Sequence, residues 1–250
     1  MLSAALGVAP VLNWKRTPRA RLLGSLGWIA GASLVLGVGL PLILVDAVSW
    51  TVLLTLTLAF WILGSHGADL VKRIRKGSLP LAYVGMQTAH AGFAAALIGV
   101  ALTSALSVER DLRMVPGDNL EIGDLSFRFL GIERVNGPNY IADQGEFVVV
   151  ESGRRYTLRP EKRNYLARRN VMTEAAIDPG LTRDVYLSLG EPLEGGAWAV
   201  RVQVKPFVRW IWLGGLLMSL GGVLAVLDAR YRRLKVRRDR KAAAVAAATA

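Results

Sequence analysis

Residues 77–108 read GSLPLAYVGMQTAHAGFAAALIGVALTSALSV, a run of 32 residues with no charged side chain and a single histidine, His90. As an α-helix rising about 1.5 Å per residue, such a run is longer than the roughly 30 Å hydrocarbon core of a bilayer. Three further uncharged stretches share this property: residues 22–45 (24 residues), 47–65 (19) and 210–227 (18). Four membrane spans are therefore expected in a chain of 250 residues that is 52% hydrophobic, with a mean hydropathy of +0.36. The sequence contains no cysteine, which excludes a disulfide framework, a thiol-exchange motif and any thiolate metal site.

The formal net charge is +12, from 31 Lys plus Arg against 19 Asp plus Glu. Taken in bulk this points to a polyanionic partner, but the charge divides by side. Lys15, Arg16, Arg19 and Arg21, the cluster Lys72, Arg73, Arg75 and Lys76, and the basic residues from Arg230 to Lys241, with Asp69, Asp228 and Asp239, sum to +13. The turn at Asp46 and the stretch from Glu109 to Arg209 sum to −1. Because the two sets alternate between spans, the excess of cations on one side places both termini in the cytoplasm and residues 109–209 outside. A nucleic-acid partner loses its basis, while the cytoplasmic cations suit membrane lipid of negative charge.

The expected organisation follows. Residues 1–13 are apolar but too short to span; they read as the end of a truncated helix closing at Trp14 and Lys15-Arg16, with an amphipathic leader as the alternative. Within residues 14–107, spans lie at about 22–45, 47–65 and 81–105, a β-rich periplasmic domain fills 108–206, a last span covers 207–228, and 229–250 form a basic, Ala-rich cytoplasmic tail. In the external region Trp198, Val200, Val202 and Val204 share one face of a strand, and Leu125, Phe127 and Phe129 repeat the pattern. Phe147 to Val150 and Val185 to Leu189 are further strand candidates. Turn signals stand at Gly123-Asp124, at 136–139 (Asn-Gly-Pro-Asn) and at 178–180 (Asp-Pro-Gly). The fold class is an integral-membrane α-helical bundle with an extracytoplasmic β-rich barrel or sandwich between the third and fourth spans.

Few residues could carry chemistry. His66 follows the second uncharged run and is expected as a solvated residue at the cytoplasmic edge, beside Asp69 and Lys72. His90 lies about nine residues into the third span, roughly 13 Å from its start and close to mid-membrane. An ionisable group at that depth is costly when charged, so a neutral ring is expected, either hydrogen-bonded or bound to a metal. The small residues around it, Ala89, Ala91, Gly92, Ala94, Ala95 and Ala96, either admit a neighbouring helix or leave room for a flat macrocycle; Gln87 can pair across helices in both cases. A depth difference on the order of 10 Å separates His66 from His90, so a metal site at His90 is expected to need a ligand from another chain.

The external region offers only Met114, Met172 and tyrosines as iron ligands, and its Glu161, Lys162, Arg163 and Glu174 read as solvated surface before they read as acid and base. A permease would need polar residues lining the spans, which are almost lacking.

Five runs in the external region carry a resemblance: 108–114 (VERDLRM), 160–165 (PEKRNY), 172–177 (MTEAAI), 183–191 (RDVYLSLGE) and 205–212 (KPFVRWIW). Together with Gly7 to Pro10, Trp14 to Arg16 and Arg230 to Arg232, they resemble the C-terminal part of the CcmF family of cytochrome c haem lyase components. The resemblance implies a bacterial inner-membrane protein that works with a CcmH-type subunit, receives haem from the chaperone CcmE and serves its attachment to apocytochrome c. It implies a transmembrane haem b that reduces incoming haem, with an axial histidine in an Ala-His-x-Gly stretch; Ala89-His90-Ala91-Gly92 matches, which makes His90 the expected axial ligand of the haem iron. The family's Trp-rich segment, external histidine pair and second haem b ligand have no counterpart here, so the N-terminal half of CcmF is an expected partner and a holocytochrome c synthase is not expected from this chain alone. Lys162, Arg163 and Arg209 are candidates for haem propionates or partner carboxylates. The competing expectation is a non-haem assembly scaffold that binds the CcmH-like partner or apocytochrome while His90 only packs helices.

Overall fold

A computed structural model describes residues 2–8, 10, 19–45, 48–77, 79–167 and 170–228. Trp14, Lys15, Arg16, Asp46 and the tail 229–250, on which several of the readings above depend, lie outside the described residues. The chain forms two units, one from residues 1–105 with 210–250 and the other from 106–209.

The first unit is helical. A short α1 (Leu2–Val8) precedes α2 (Arg19–Leu34), a π-helical turn (Val35–Gly39) and α3 (Leu40–Leu44), which continue one another. Pro41 at the start of α3 has no N–H to give the carbonyl of Gly37, and its ring crowds that carbonyl, which accounts for the widened turn just before it. Then follow α4 (Trp50–Arg75), α5 (Leu81–Leu106) and, after the second unit, α6 (Val208–Leu227). Among the described residues four segments are long and apolar enough to cross a membrane: Leu26–Ile43, α4, α5 and α6.

Helix α5 meets α6 with backbone against backbone at its glycines. A Cβ on Gly85 would lie 2.5 Å from the Gly221 carbonyl oxygen, one on Gly92 2.7 Å from that of Gly214, and one on Gly99 2.8 Å from the Ile211 nitrogen. The contact is reciprocal, since a Cβ on Gly214 would lie 2.5 Å from the Gly92 carbonyl oxygen. Glycines seven residues apart fall on nearly one line of a helix, so this spacing makes a seam along which two backbones touch, the usual way for helices to associate where lipid offers no hydrophobic drive. The start of α5 is tied to the end of α6 as well: the Ala82 N–H, in the first turn where helix donors lack internal acceptors, donates to Asp228 Oδ2 at 2.7 Å.

The second unit is an antiparallel sandwich. Its strands are β1 (Val108–Met114), β2 (Asn119–Ile122), β3 (Leu125–Asn136), β4 (Tyr140–Glu151), β5 (Arg154–Leu158), β6 (Glu161–Tyr165), β7 (Asn170–Glu174), β8 (Ala176–Asp178), β9 (Arg183–Pro192) and β10 (Trp198–Pro206). One sheet runs β1-β10-β9-β8; the other runs β2-β3-β4-β6-β7, with β5 also paired to β4. Two separate sheets settle the choice between barrel and sandwich. Alternate residues of β3, β9 and β10 supply the core, where Phe129 stacks on Phe147 at 4.6 Å. A bulge at Phe129/Gly131 turns Leu130 outward, with Gly131 at φ 150°, where a side chain would be strained.

Arg183 bonds across the two sheets. From β9 it donates to Glu151 on β4, with Nε 2.8 Å from Oε1 and a second bond to Oε2, and to Asp178 Oδ2 on β8 at 2.7 Å. Tyr156 lies beside this cluster, and burial pushes its hydroxyl pKa up to about 12.

The glycine seam is tested by paired substitutions in α6. Gly214→Leu is expected to cost about 1–3 kcal/mol from overpacking and to lower the melting temperature of the detergent-solubilised chain. Gly215→Leu, where an added Cβ meets nothing within 4 Å, is expected to leave it within error.

Candidate functional site

Helices α4 and α5 form an antiparallel hairpin, and their facing polar residues come in matched pairs. Arg73 lies over the Tyr83 ring, 4.3 Å from its centre, and pairs with Asp69 at 3.8 Å. Tyr83 donates its hydroxyl hydrogen to Asp69 Oδ2 at 2.7 Å. Gln87, one turn further, donates from Nε2 to the Tyr83 hydroxyl at 2.5 Å and to the His66 carbonyl at 3.3 Å. That orientation turns the Gln87 carbonyl oxygen to His66 Nδ1, at 2.9 Å. The other nitrogen of His66 lies 3.2 Å from the Leu6 carbonyl oxygen near the end of α1, whose last carbonyls lack helical partners. Trp61 makes a similar bond to α1 from Nε1 to the Ala4 carbonyl at 3.1 Å, with Gly7 against its ring.

His90 stands next along α5. Its ring lies 4.4 Å from that of His66, centre to centre, with the planes at 52°. Its Nδ1 is buried without a hydrogen-bond partner, while the residue as a whole keeps some exposure. An unpaired buried nitrogen costs about 1–3 kcal/mol, so this arrangement needs a reason outside helix packing.

One expectation is corrected here. His66 is not a solvated residue at the membrane edge: it is 5% exposed and lies level with His90. The uncharged run ends at Ser65, but α4 continues to Arg75, so the charges past His66 belong to the same helix and the supposed depth difference vanishes. In an antiparallel pair the facing positions have a constant sum, and His66 with His90, Asp69 with Gln87 and Arg73 with Tyr83 share one sum. That arithmetic was available in the sequence once the hairpin turn was placed near residue 78. Of the two alternatives for the small residues around His90, Gly92 follows the first: its open side admits the neighbouring helix α6. His90 lies two residues away on the opposite face of α5, toward α4.

The residues fit haem in one respect and not in another. His90 offers a partly exposed ring whose buried Nδ1 meets no partner among the described residues, which leaves Nε2 for a single metal bond. His66 does not complete the pair. Two imidazoles on one iron are kept apart by two metal–nitrogen bonds of about 2 Å each, whereas these rings are in direct contact. Among the described residues no three His, Cys, Asp or Glu side chains gather as a metal site.

In the sandwich, Met114 is in the core at 1% exposure and is not a candidate ligand; Met172 lies half-exposed on β7. The charged candidates are paired. Lys162 meets Glu191 and the Gly190 carbonyl, and Arg209 donates to Asp184 Oδ1 at 3.1 Å. Arg163 lies 2.7 Å from Glu161 and 3.7 Å from Glu174, over the Tyr140 ring. Burial alone would raise the Glu161 carboxyl, but bonds from Arg163 and from Gln144 outweigh it and hold the group below its usual range.

A carboxylate lowered in this way contributes stability that is complete above its ordinary value and is lost as the pH falls through the lowered one. Glu161→Gln is therefore expected to be less stable than the parent at pH 7 and to lose less between pH 6 and pH 3. Amide hydrogen exchange along β4 and β6 would measure both.

Comparison with known proteins agrees with the fold. The family described as the CcmF C-terminal beta-sandwich matches residues 105–206. The chain is 49% identical to the cytochrome c-type biogenesis protein CcmF of Pseudomonas aeruginosa, over 92% of this chain and 36% of that protein. It is 45% identical to the CcmF of Escherichia coli, over 91% of this chain and again 36% of the relative. The chain thus spans little more than a third of these relatives. A solved structure titled cytochrome c heme lyase CcmF superimposes with a TM-score of 0.72 at 19% identity, covering 91% of this chain and 38% of that one, a likeness of fold.

Proposed function

The chain corresponds to the C-terminal part of the CcmF proteins, and from that premise we propose that it is one portion of a membrane cytochrome c haem lyase in which His90 supplies an axial ligand to a transmembrane haem b. The observation that carries this reading is the His90 ring itself, partly exposed on an apolar span, with a buried Nδ1 that meets no partner among the described residues and so leaves Nε2 as the nitrogen to bind iron. When bound, the haem supplies one-electron chemistry, the reduction of incoming haem iron. The chain's own work is to hold the ring: α5 sets its depth, the seam with α6 fixes which face of α5 turns to α4, and His66 closes one side of it. A second ligand would come from the N-terminal portion of the protein, because the His66 ring is packed directly against His90.

The division of charge, +13 against −1, supports a bacterial inner-membrane location with both termini in the cytoplasm and the sandwich in the periplasm. There the sandwich docks the partners of cytochrome c assembly, a CcmH-type subunit, the haem chaperone CcmE and apocytochrome c. Strand β7, at a sheet edge with Val171 and Met172 exposed, suits an extended peptide. In this reading the chain has no haem lyase activity alone. The competing reading, a haem-free scaffold, draws on Gly92, whose contact with Gly214 gives the Ala-His-Ala-Gly stretch a packing role.

Haem content separates the two. Purified together with the N-terminal portion, the complex is expected to show a six-coordinate b-type spectrum that His90→Ala abolishes or strongly weakens. A spectrum unchanged by His90→Ala would overturn the ligand assignment and favour the scaffold.

A further inference from the structure

We propose that His66 is the positioning residue for His90: it sets the orientation of the ligand ring by direct ring contact, and the Asp69–Tyr83–Gln87 chain exists to hold His66 still. This inference rests on the haem reading above.

A histidine that binds a metal through one nitrogen usually donates the other N–H to a carboxylate, a carbonyl or a water, and that bond fixes its tautomer and its angle. His90 has no such bond, for its Nδ1 is buried without a partner. What it has is a neighbouring ring at 4.4 Å, tilted by 52°. That neighbour has a carbonyl oxygen facing each nitrogen, that of Gln87 at 2.9 Å and that of Leu6 at 3.2 Å, and donates its one N–H to one of them. Gln87 is oriented by Tyr83, and Tyr83 by Asp69, which Arg73 balances. These side-chain links run four residues along one helix or across the hairpin, and they restrain the His66 ring.

Burying such a chain between apolar helices is costly, and for stability alone apolar residues of similar volume would serve as well. A chain of this kind gives orientation, and orientation matters for His90, because rotation of an axial imidazole about its bond to the iron alters the ligand field, and groups around a ligand tune its reduction potential. His66 itself is excluded as the opposite ligand by its direct ring contact with His90. It acts through the ligand.

The experiment uses the complex with the N-terminal portion and four variants, His90→Ala, His66→Ala, His66→Phe and Gln87→Leu. Haem per protein, the g values of the low-spin ferric haem and its midpoint potential are read for each. The expected result is that His66→Ala still binds haem while its largest g value and its potential both move. Gln87→Leu, which frees the His66 ring, should move them in the same direction. His66→Phe, which restores a ring against His90, should bring both back toward the parent. Parental g values and potential in His66→Ala would overturn the proposal, as would a His66→Phe protein displaced as far as His66→Ala. Loss of haem in both His66 variants to the level of His90→Ala would also overturn it, since His66 would then be needed for binding itself. Failure of the haem reading is distinguishable: it would be seen in the unaltered complex lacking haem or in His90→Ala retaining it, before any His66 variant is considered, and it would overturn this inference too.

Discussion

A polar group inside a span has no water to fall back on, and the helical unit is organised by that constraint. Asp69, Tyr83, Gln87 and His66 could each be left unsatisfied only at a cost of several kcal/mol. They avoid it by satisfying one another across a single hairpin. Because donors and acceptors must meet in order, one register of α4 against α5 satisfies them all; a shift by a turn would set Gln87 against an apolar position and leave Asp69 without Tyr83. The hydrogen bonds fix the hairpin more sharply than its apolar contacts can, since Val52, Leu56 and Ala101 at its other end would pack in several registers. Within this matched set the unpaired nitrogen of His90 stands apart as the group whose partner is not supplied by this helical hairpin.

Helix α5 is divided lengthwise. Gly85, Gly92 and Gly99 present bare backbone to α6, and the opposite side carries Tyr83, Gln87 and His90 toward α4. The two faces do different work. The seam has no side chain to adjust, so α5 has little freedom to rotate about its own axis, and rotation is the motion that would swing His90 away from His66. The Asp228 bond to the Ala82 N–H adds an axial stop at the start of the helix. A histidine on such a helix is placed by backbone contacts before any side-chain contact is counted.

Much of this was legible in the sequence, and the exceptions share a cause. Four spans could be read because long uncharged runs are a one-dimensional signal. The strands at 125–129 and 198–204 could be read because alternation is one as well. The sandwich's β6, β7 and β8 escaped notice: they are short, and their residues are charged or exposed, so nothing alternates; they exist because β4, β6 and β9 respectively offer them backbone partners. The Arg183 clamp joins residues 32 apart on different sheets, which no local pattern reveals. The misplacement of His66 came from treating the last uncharged residue as the end of the span. Asp69 looked like the start of the aqueous loop because a carboxylate in isolation belongs in water, and its pairing with Tyr83 and Arg73 is what lets the helix run on.

That error bears on how the two histidines are weighed. Judged by hydropathy alone, His90 is the anomalous residue and His66 the ordinary one, since only His90 interrupts an otherwise uncharged run. In the folded unit the ranking reverses for burial: His66 is enclosed, with a carbonyl oxygen against each nitrogen, while His90 keeps exposure. What sets His90 apart there is its unpartnered Nδ1, a feature different from depth. The distinction between the histidines lies in satisfaction, and satisfaction becomes visible only when the partners are in place.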